Sequence, residues 1–125
     1  MKTNYKDVTK LFKILSHPTR LAILEILRGG EQCVCHMEAV LGVRQAHISQ
    51  HLMILREAQI VVDRREGWNI YYRVTQQGIY HLIDEARELL GEPADAEQEF
   101  EFQEQPGVCP CPKCQLQSKT EIKFQ

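Results

Sequence analysis

The spacing of apolar residues changes at about residue 60, and few folds accommodate the order of elements on either side of that change. In "YKDVTKLFKIL", residues 5–15, Tyr5, Val8, Leu11, Phe12 and Leu15 recur at the three- and four-residue intervals of one helix face. Ser16-His17-Pro18 breaks this helix, because proline lacks the amide donor and restricts the residue before it. Pro18 then suits the first turn of a second helix, "TRLAILEILRGG", which is apolar on most sides and stops at Gly29-Gly30. A helix apolar all round is a buried one, so this segment is the expected centre of the core. The short piece "MEAVLGV" carries Met37, Val40 and Leu41 and closes at Gly42. A longer helix, "RQAHISQHLMILREAQI", offers Ala46, Ile48, Leu52, Ile54 and Leu55 as inward positions. Two short helices joined by a glycine-containing turn make a helix-turn-helix pattern.

Past residue 60 the period shortens. In "IVVDRREGWNIYYRV", Val62 and Arg64, then Ile70, Tyr72 and Val74, alternate with other residues, and "REGWN" supplies a turn, which predicts a two-stranded hairpin. From Thr75 the helical period returns through Ile79, Leu82, Ile83, Ala86, Leu89 and Leu90, and ends at Gly91. The order helix, helix, helix-turn-helix, hairpin, helix predicts a mainly α (α+β) winged helix-turn-helix, with about five helices and a two-stranded wing. Residues 1–91 form that domain. Residues 92–108, acidic and proline-containing, read as a linker of low order, and residues 109–125 as an irregular cysteine-rich tail.

A chain of 125 residues supports one such core and not two. Its net charge of −2 is unevenly spread: residues 1–83 hold 11 lysines and arginines against 7 acidic residues, and residues 84–104 hold 1 against 9. A mildly basic body is compatible with a nucleic-acid partner, though weak evidence by itself. No apolar run is long enough to span a bilayer, and "MKTNYKDVTK" lacks the apolar core of a signal peptide, so a cytoplasmic location is expected. In a reducing compartment five cysteines point to metal binding or redox chemistry rather than a disulfide framework.

Three stretches, "LSHPTRLAILEIL", "CVCHMEAVLGVRQAHISQHLMILREAQIV" and "DRREGWNIYYRV", together resemble the ArsR/SmtB family of metal-responsive winged-helix repressors. The resemblance runs from about residue 5 to residue 90. It rests on the Ser-His-Pro-Thr-Arg helix start, the Ser49-Gln50-His51-Leu52 recognition helix and the Arg-Glu-Gly of the wing. It implies a homodimer, with contacts through the first and last helices, that leaves its operator when an inducer binds. The residues support double-stranded DNA as a partner on their own chemistry. Arg44, Gln45, His47, Ser49, Gln50 and His51 supply side chains that can reach base edges in a major groove. Arg64 and Arg65 on the hairpin can hold phosphates or enter a minor groove.

The cysteines fall in two runs, "QCVCHM" and "CPCPKC". Within a regular helix Cys33 and Cys35 would point about 200° apart, so a shared ion requires a non-helical chain at residues 33–35. The alternative is a pair of small buried hydrophobes. The resemblance favours metal, because a Cys-Val-Cys at this place is the family's motif. The third cysteine of its arsenic-responsive members is replaced here by Glu38. Cys109, Cys111 and Cys114, separated by prolines, could complete the site from the tail or bind an ion alone. A three-thiolate site suits As(III) or Sb(III), and a four-thiolate site Cd(II), Pb(II) or Zn(II). The zinc site that some relatives carry on the last helix is not expected, since its positions hold Gln76, Gly78, Leu89 and Glu92; His81 and Asp84 read as a helix-surface pair. A thiol redox or persulfide switch is the alternative signal. A thiol-dependent enzyme or metal carrier is a distant one, because no positioned general base is evident.

Overall fold

The computed structural model describes residues 4–92; Cys109, Cys111, Cys114 and all but the first residue of the acidic linker lie outside the described residues. The described chain folds as α1 (Tyr5–Leu15), α2 (Pro18–Leu27), β1 (Gln32–Cys33), α3 (Val34–Leu41), α4 (Gln45–Glu57), β2 (Val61–Glu66), β3 (Asn69–Val74) and α5 (Gly78–Leu89). This is the winged helix-turn-helix that the periodicity predicts. Pro18 opens α2, where a missing amide costs no helical bond. Gly42, at φ 65, closes α3 by donating its amide to the Glu38 carbonyl at 2.9 Å.

The end of α4 was not readable as a turn. Gln59 takes φ 62, a left-handed position usually given to glycine. Its amide donates to the Arg56 carbonyl at 2.9 Å, and that of Ile60 to the Leu55 carbonyl at 3.0 Å. This Schellman closure turns Ile60 into the core and launches β2.

β2 and β3 pair antiparallel from Val61↔Val74 to Glu66↔Asn69. The turn expected over "REGWN" therefore contracts to the two residues Gly67-Trp68. Gly67 alone has a positive φ there, as a type II′ hairpin loop requires. The sheet also gains a third strand, because β1 pairs with β3 through Gln32↔Tyr72 and Cys33↔Tyr71. Two residues are too short to show an alternating pattern, so no periodicity marks it.

α2 is the core helix expected of it: Ile23, Leu24 and Leu27 are buried with Met37, Ile48, Leu52 and Leu55. Tyr80 packs against it from α5, and its hydroxyl donates to the Leu24 carbonyl at 2.6 Å. That carbonyl lies in the last turn of α2, where helical partners run out. Arg28 reinforces the joint, forking to Glu25 at 2.7 Å and Asp84 at 2.8 Å with its guanidinium 4.5 Å from the centre of the Tyr80 ring.

Candidate DNA-reading face and thiol site

Ile48, Leu52 and Leu55 fix how α4 sits on the core. With 100° between residues, the side turned away from them holds Ala46, Gln50, Met53 and Glu57. Arg44, the N-cap, is exposed, as are Gln45, His47 and Gln50; Ser49 and His51 lie on the flanks and are half-buried. Ala46, which the apolar pattern placed inward, is exposed. It stands on the opposite side from Ile48 and Leu52, and only its small size let it pass for a core residue.

His51 is tied to the body of the domain. Arg20 Nε donates to its Nδ1 at 3.1 Å, and the His17 ring packs against it with centroids 4.3 Å apart. Accepting at Nδ1 requires the tautomer protonated on Nε2. Burial first, then the charges of His17, Arg20 and His47, hold His51 below the ordinary imidazole range. Its ring is thereby kept neutral and oriented on the edge of the exposed face.

The two wing arginines differ. Arg64, though exposed, is held by intramolecular ion pairs: it meets Glu31 at 2.7 Å and Glu66 at 2.9 Å, and lies 4.8 Å from the centre of the Tyr71 ring. Arg65 is exposed and takes part in none of the ion pairs found among the described residues. Arg56 of α4 reaches Asp63 of β2 at 3.5 Å, linking the helix to the wing.

The thiols meet at the junction of β1 and α3. Cys33 is the N-cap of α3, with extended backbone at φ −84 and ψ 159, and its Sγ accepts the His36 amide at 3.2 Å. Cys35 lies in the first helical turn. The two sulfurs stand 2.7 Å apart. The chain thus need not be non-helical through residues 33–35, as the spacing argument required. One extended residue suffices, because an N-cap folds its side chain back over the first turn. Cys33 is buried against Tyr71, with Cys35 and Ala39 packed on the same small cluster.

Residues 17–62 match the family model described as bacterial regulatory protein, arsR family. Over 84 residues the chain is 42% identical to the biofilm growth-associated repressor of Agrobacterium fabrum, covering 67% of this chain and 72% of that one. The chain belongs to the ArsR family. This family member is also 38% identical over 91 residues to the arsenical resistance operon repressor of Escherichia coli, covering 72% and 74% of the two chains. Among solved structures it is similar to Mb0332 from Mycobacterium bovis, described as a homodimeric winged helix-turn-helix DNA-binding domain and a possible ArsR-family transcriptional regulator. That match has a TM-score of 0.62 and 26% identity, and covers 77% of this chain and 89% of that one. The chain is accordingly a transcriptional regulator and not an enzyme.

For this ArsR-family chain, sequence reasoning singled out polar residues of α4 and both described cysteines as candidates. It missed the residues that hold them: Arg20 behind His51, Glu31 against Arg64, and Tyr71 beneath Cys33. Each acts across the fold, 31 to 38 residues from its partner, where no local pattern signals it. Asp84, read as a surface partner of His81, is instead bound by Arg28 at 2.8 Å, and that hydrogen bond holds its carboxyl below the usual range. Trp68, in the turn expected from the sequence, is fully exposed at the wing tip.

Proposed function

We propose that the chain represses transcription as a cytoplasmic homodimer on operator DNA, and leaves it when a thiophilic ion binds Cys33 and Cys35 together with cysteines of the tail. The observation that carries this reading is the convergence of the two sulfurs at the point where β1 becomes α3. Two adjacent thiolates suit soft ions such as As(III), Sb(III), Cd(II), Pb(II) or Zn(II). A main-chain N–H donor at the positive end of a helix favours the ionised sulfur that such ions need. Among the described residues no cluster of three or more ligating side chains exists, so Cys33 and Cys35 are half a site. Cys109, Cys111 and Cys114 are the thiols assigned to complete it. The arsenical resistance relative supports an ion of this class.

DNA would be held by Arg44, Gln45, His47, Ser49, Gln50 and His51 on α4 and by Arg65 on the wing, with Arg64 joining once Glu31 releases it. Cys33 is hydrogen-bonded through β1 to the wing strand β3, and Cys35 rides on α3, which packs against α4. A change at the sulfurs therefore reaches both DNA-reading elements. Ion and operator prefer different arrangements, so each weakens the other by the same free energy. The homodimer is supported by the homodimeric neighbour and by the apolar side chains that α1 and α5 leave exposed.

Cys33→Ser and Cys35→Ser test the site. Both variants should bind operator as the parent does, while the ion that weakens the parent by about 5- to 150-fold changes their affinity less than twofold. Release of both variants at parental ion concentrations would rule the site out. Deleting residues 105–125 should weaken the inducer; an unchanged inducer affinity would remove the tail from the site. The contact between the sulfurs also favours a second reading, in which peroxide or a persulfide oxidises these thiols. Release by either reagent in chelated buffer would select it.

A further inference from the structure

Between residues 4 and 92 the chain has only three lysines, and all three stand on α1. Lys6, Lys10 and Lys13 follow intervals of four and then three, which line one face of a helix over about 10 Å. With Tyr5 and Thr9 they line a concavity of about 420 Å³ along α1, and all five residues are exposed. None of the three lysines enters an ion pair among the described residues, whereas Arg28, Arg56, Arg64 and Arg87 all do. Asp7, the one acidic residue of α1, is held by Asn4 at 3.0 Å. Leu11, Ile14 and Leu15 fix the opposite side of α1 to the core. Lys13 stands about 100° round the helix from Phe12, so the basic stripe is a separate face from that of the exposed phenyl ring.

We infer that this lysine face of α1 is the docking surface for the acidic segment of the same chain, residues 95–104. That segment, "DAEQEFEFQE", has five carboxylates and neither lysine nor arginine. Glu97, Glu101 and Glu104 repeat the intervals of Lys6, Lys10 and Lys13, four and then three. Two helical turns of the segment laid on α1 would therefore set three carboxylates against three ammonium groups. Phe100 falls in the same stripe, three residues after Glu97 and four before Glu104, and gives the exposed ring of Tyr5 an apolar partner. Single exposed ion pairs are weak. Three in register on a tethered segment act together, because the tether replaces a bimolecular encounter with a local one. Five residues separate Glu92, where the described chain ends, from Glu97, a reach of about 17 Å. Docking neutralises carboxylates that would repel a polyanionic partner. It also gives the cysteine tail a fixed start, since Cys109 follows Glu104 by five residues. The inference stands independently of what α4 or the thiols bind.

The test is made on the full chain. Carbodiimide coupling joins an amine to a carboxylate only in direct contact, and neither α4 nor the wing has a lysine to compete. Peptide mass spectrometry should find Lys6, Lys10 and Lys13 joined to Glu97, Glu101 and Glu104. The yield should fall at least about fivefold from low salt to about 0.5 M salt. Amide NMR shifts of residues 5–13 should move when Glu97→Gln, Glu101→Gln and Glu104→Gln are combined. They should stay in place in Asp95→Asn with Glu99→Gln, which removes two carboxylates that lie off the stripe. Both variants leave residues 4–92 unchanged, so the fold is not at risk. Absence of these couplings, equal shifts in the two variants, or coupling of the three glutamates chiefly to Lys113, Lys119 and Lys123 would overturn the inference. Shifts at residues 44–51 in place of residues 5–13 would overturn it in favour of an acidic segment that covers α4. In a mixture of light and heavy protein, coupled peptides that pair one light with one heavy half would overturn it in favour of a contact between copies.

Discussion

His51 is tied into the fold while it borders the exposed face of α4. It accepts from Arg20 only while neutral, and burial with the nearby charges of His17, Arg20 and His47 lowers its proton affinity. Its folded value lies below the ordinary 6.5, so between the two values the unfolded chain binds more protons. The contribution to stability is full above pH 6.5 and is lost as the pH falls below that value. The melting temperature should decline on acidification from about pH 7 to about pH 5. His51→Gln, which keeps an acceptor for Arg20 but does not titrate, should flatten that decline in scanning calorimetry. An equal slope in the variant would place the titration elsewhere. The polar character of His51 and its neighbours could be read directly from the sequence, because each residue type declares its own hydrogen-bonding groups. The inward turn of His51 could not, since it depends on Arg20, one helix away. Ala46 fails in the opposite sense: an alanine carries too little chemistry to indicate which side it faces.

At the scale of elements, the long helices were legible and the joints between them were not. α2 and α4 have enough apolar residues for the period to emerge, and β2–β3 alternates around a glycine turn. β1 has two residues, and its identity as a strand comes entirely from β3 alongside it. α5 carries two apolar sides: Ile79 and Tyr80 turn inward, whereas Leu82, Leu89 and Leu90 turn out. Its period alone could not divide them. The Tyr80 hydroxyl is the clearest inter-element bond, because it satisfies a carbonyl that α2 leaves over and is itself buried, which raises its pKa. Tyr80→Phe should lower unfolding stability by about 1–2 kcal/mol. The loss would be read as a lower urea midpoint at unchanged slope. A neutral result would mean that water serves the Leu24 carbonyl equally well.

At the scale of the whole molecule, several large apolar side chains remain outside the core. Tyr5 and Phe12 on α1, Leu89 at the end of α5 and Leu90 just after it are more than half exposed. A lone domain would gain nothing from such side chains; a pair of domains would bury them. Each side chain removed from water contributes about 1.5–3 kcal/mol. Phe12→Glu combined with Leu89→Glu should therefore weaken self-association at least about tenfold in sedimentation equilibrium. Helical content should be retained, because neither residue belongs to the core. Retention of the parental association constant would exclude this face. The dependence of operator binding on the pair would appear in the same variant as a matching loss of affinity.

The three-stranded sheet has a practical consequence. Cys33 faces Tyr71 across β1 and β3, and Trp68 sits just before the start of β3. Cys33 and the only indole of the chain thus share one hydrogen-bonded ribbon. The domain carries its own optical gauge: an event at the sulfurs that shifts the ribbon would be visible as a change in emission, with no dye attached and no nucleic acid present.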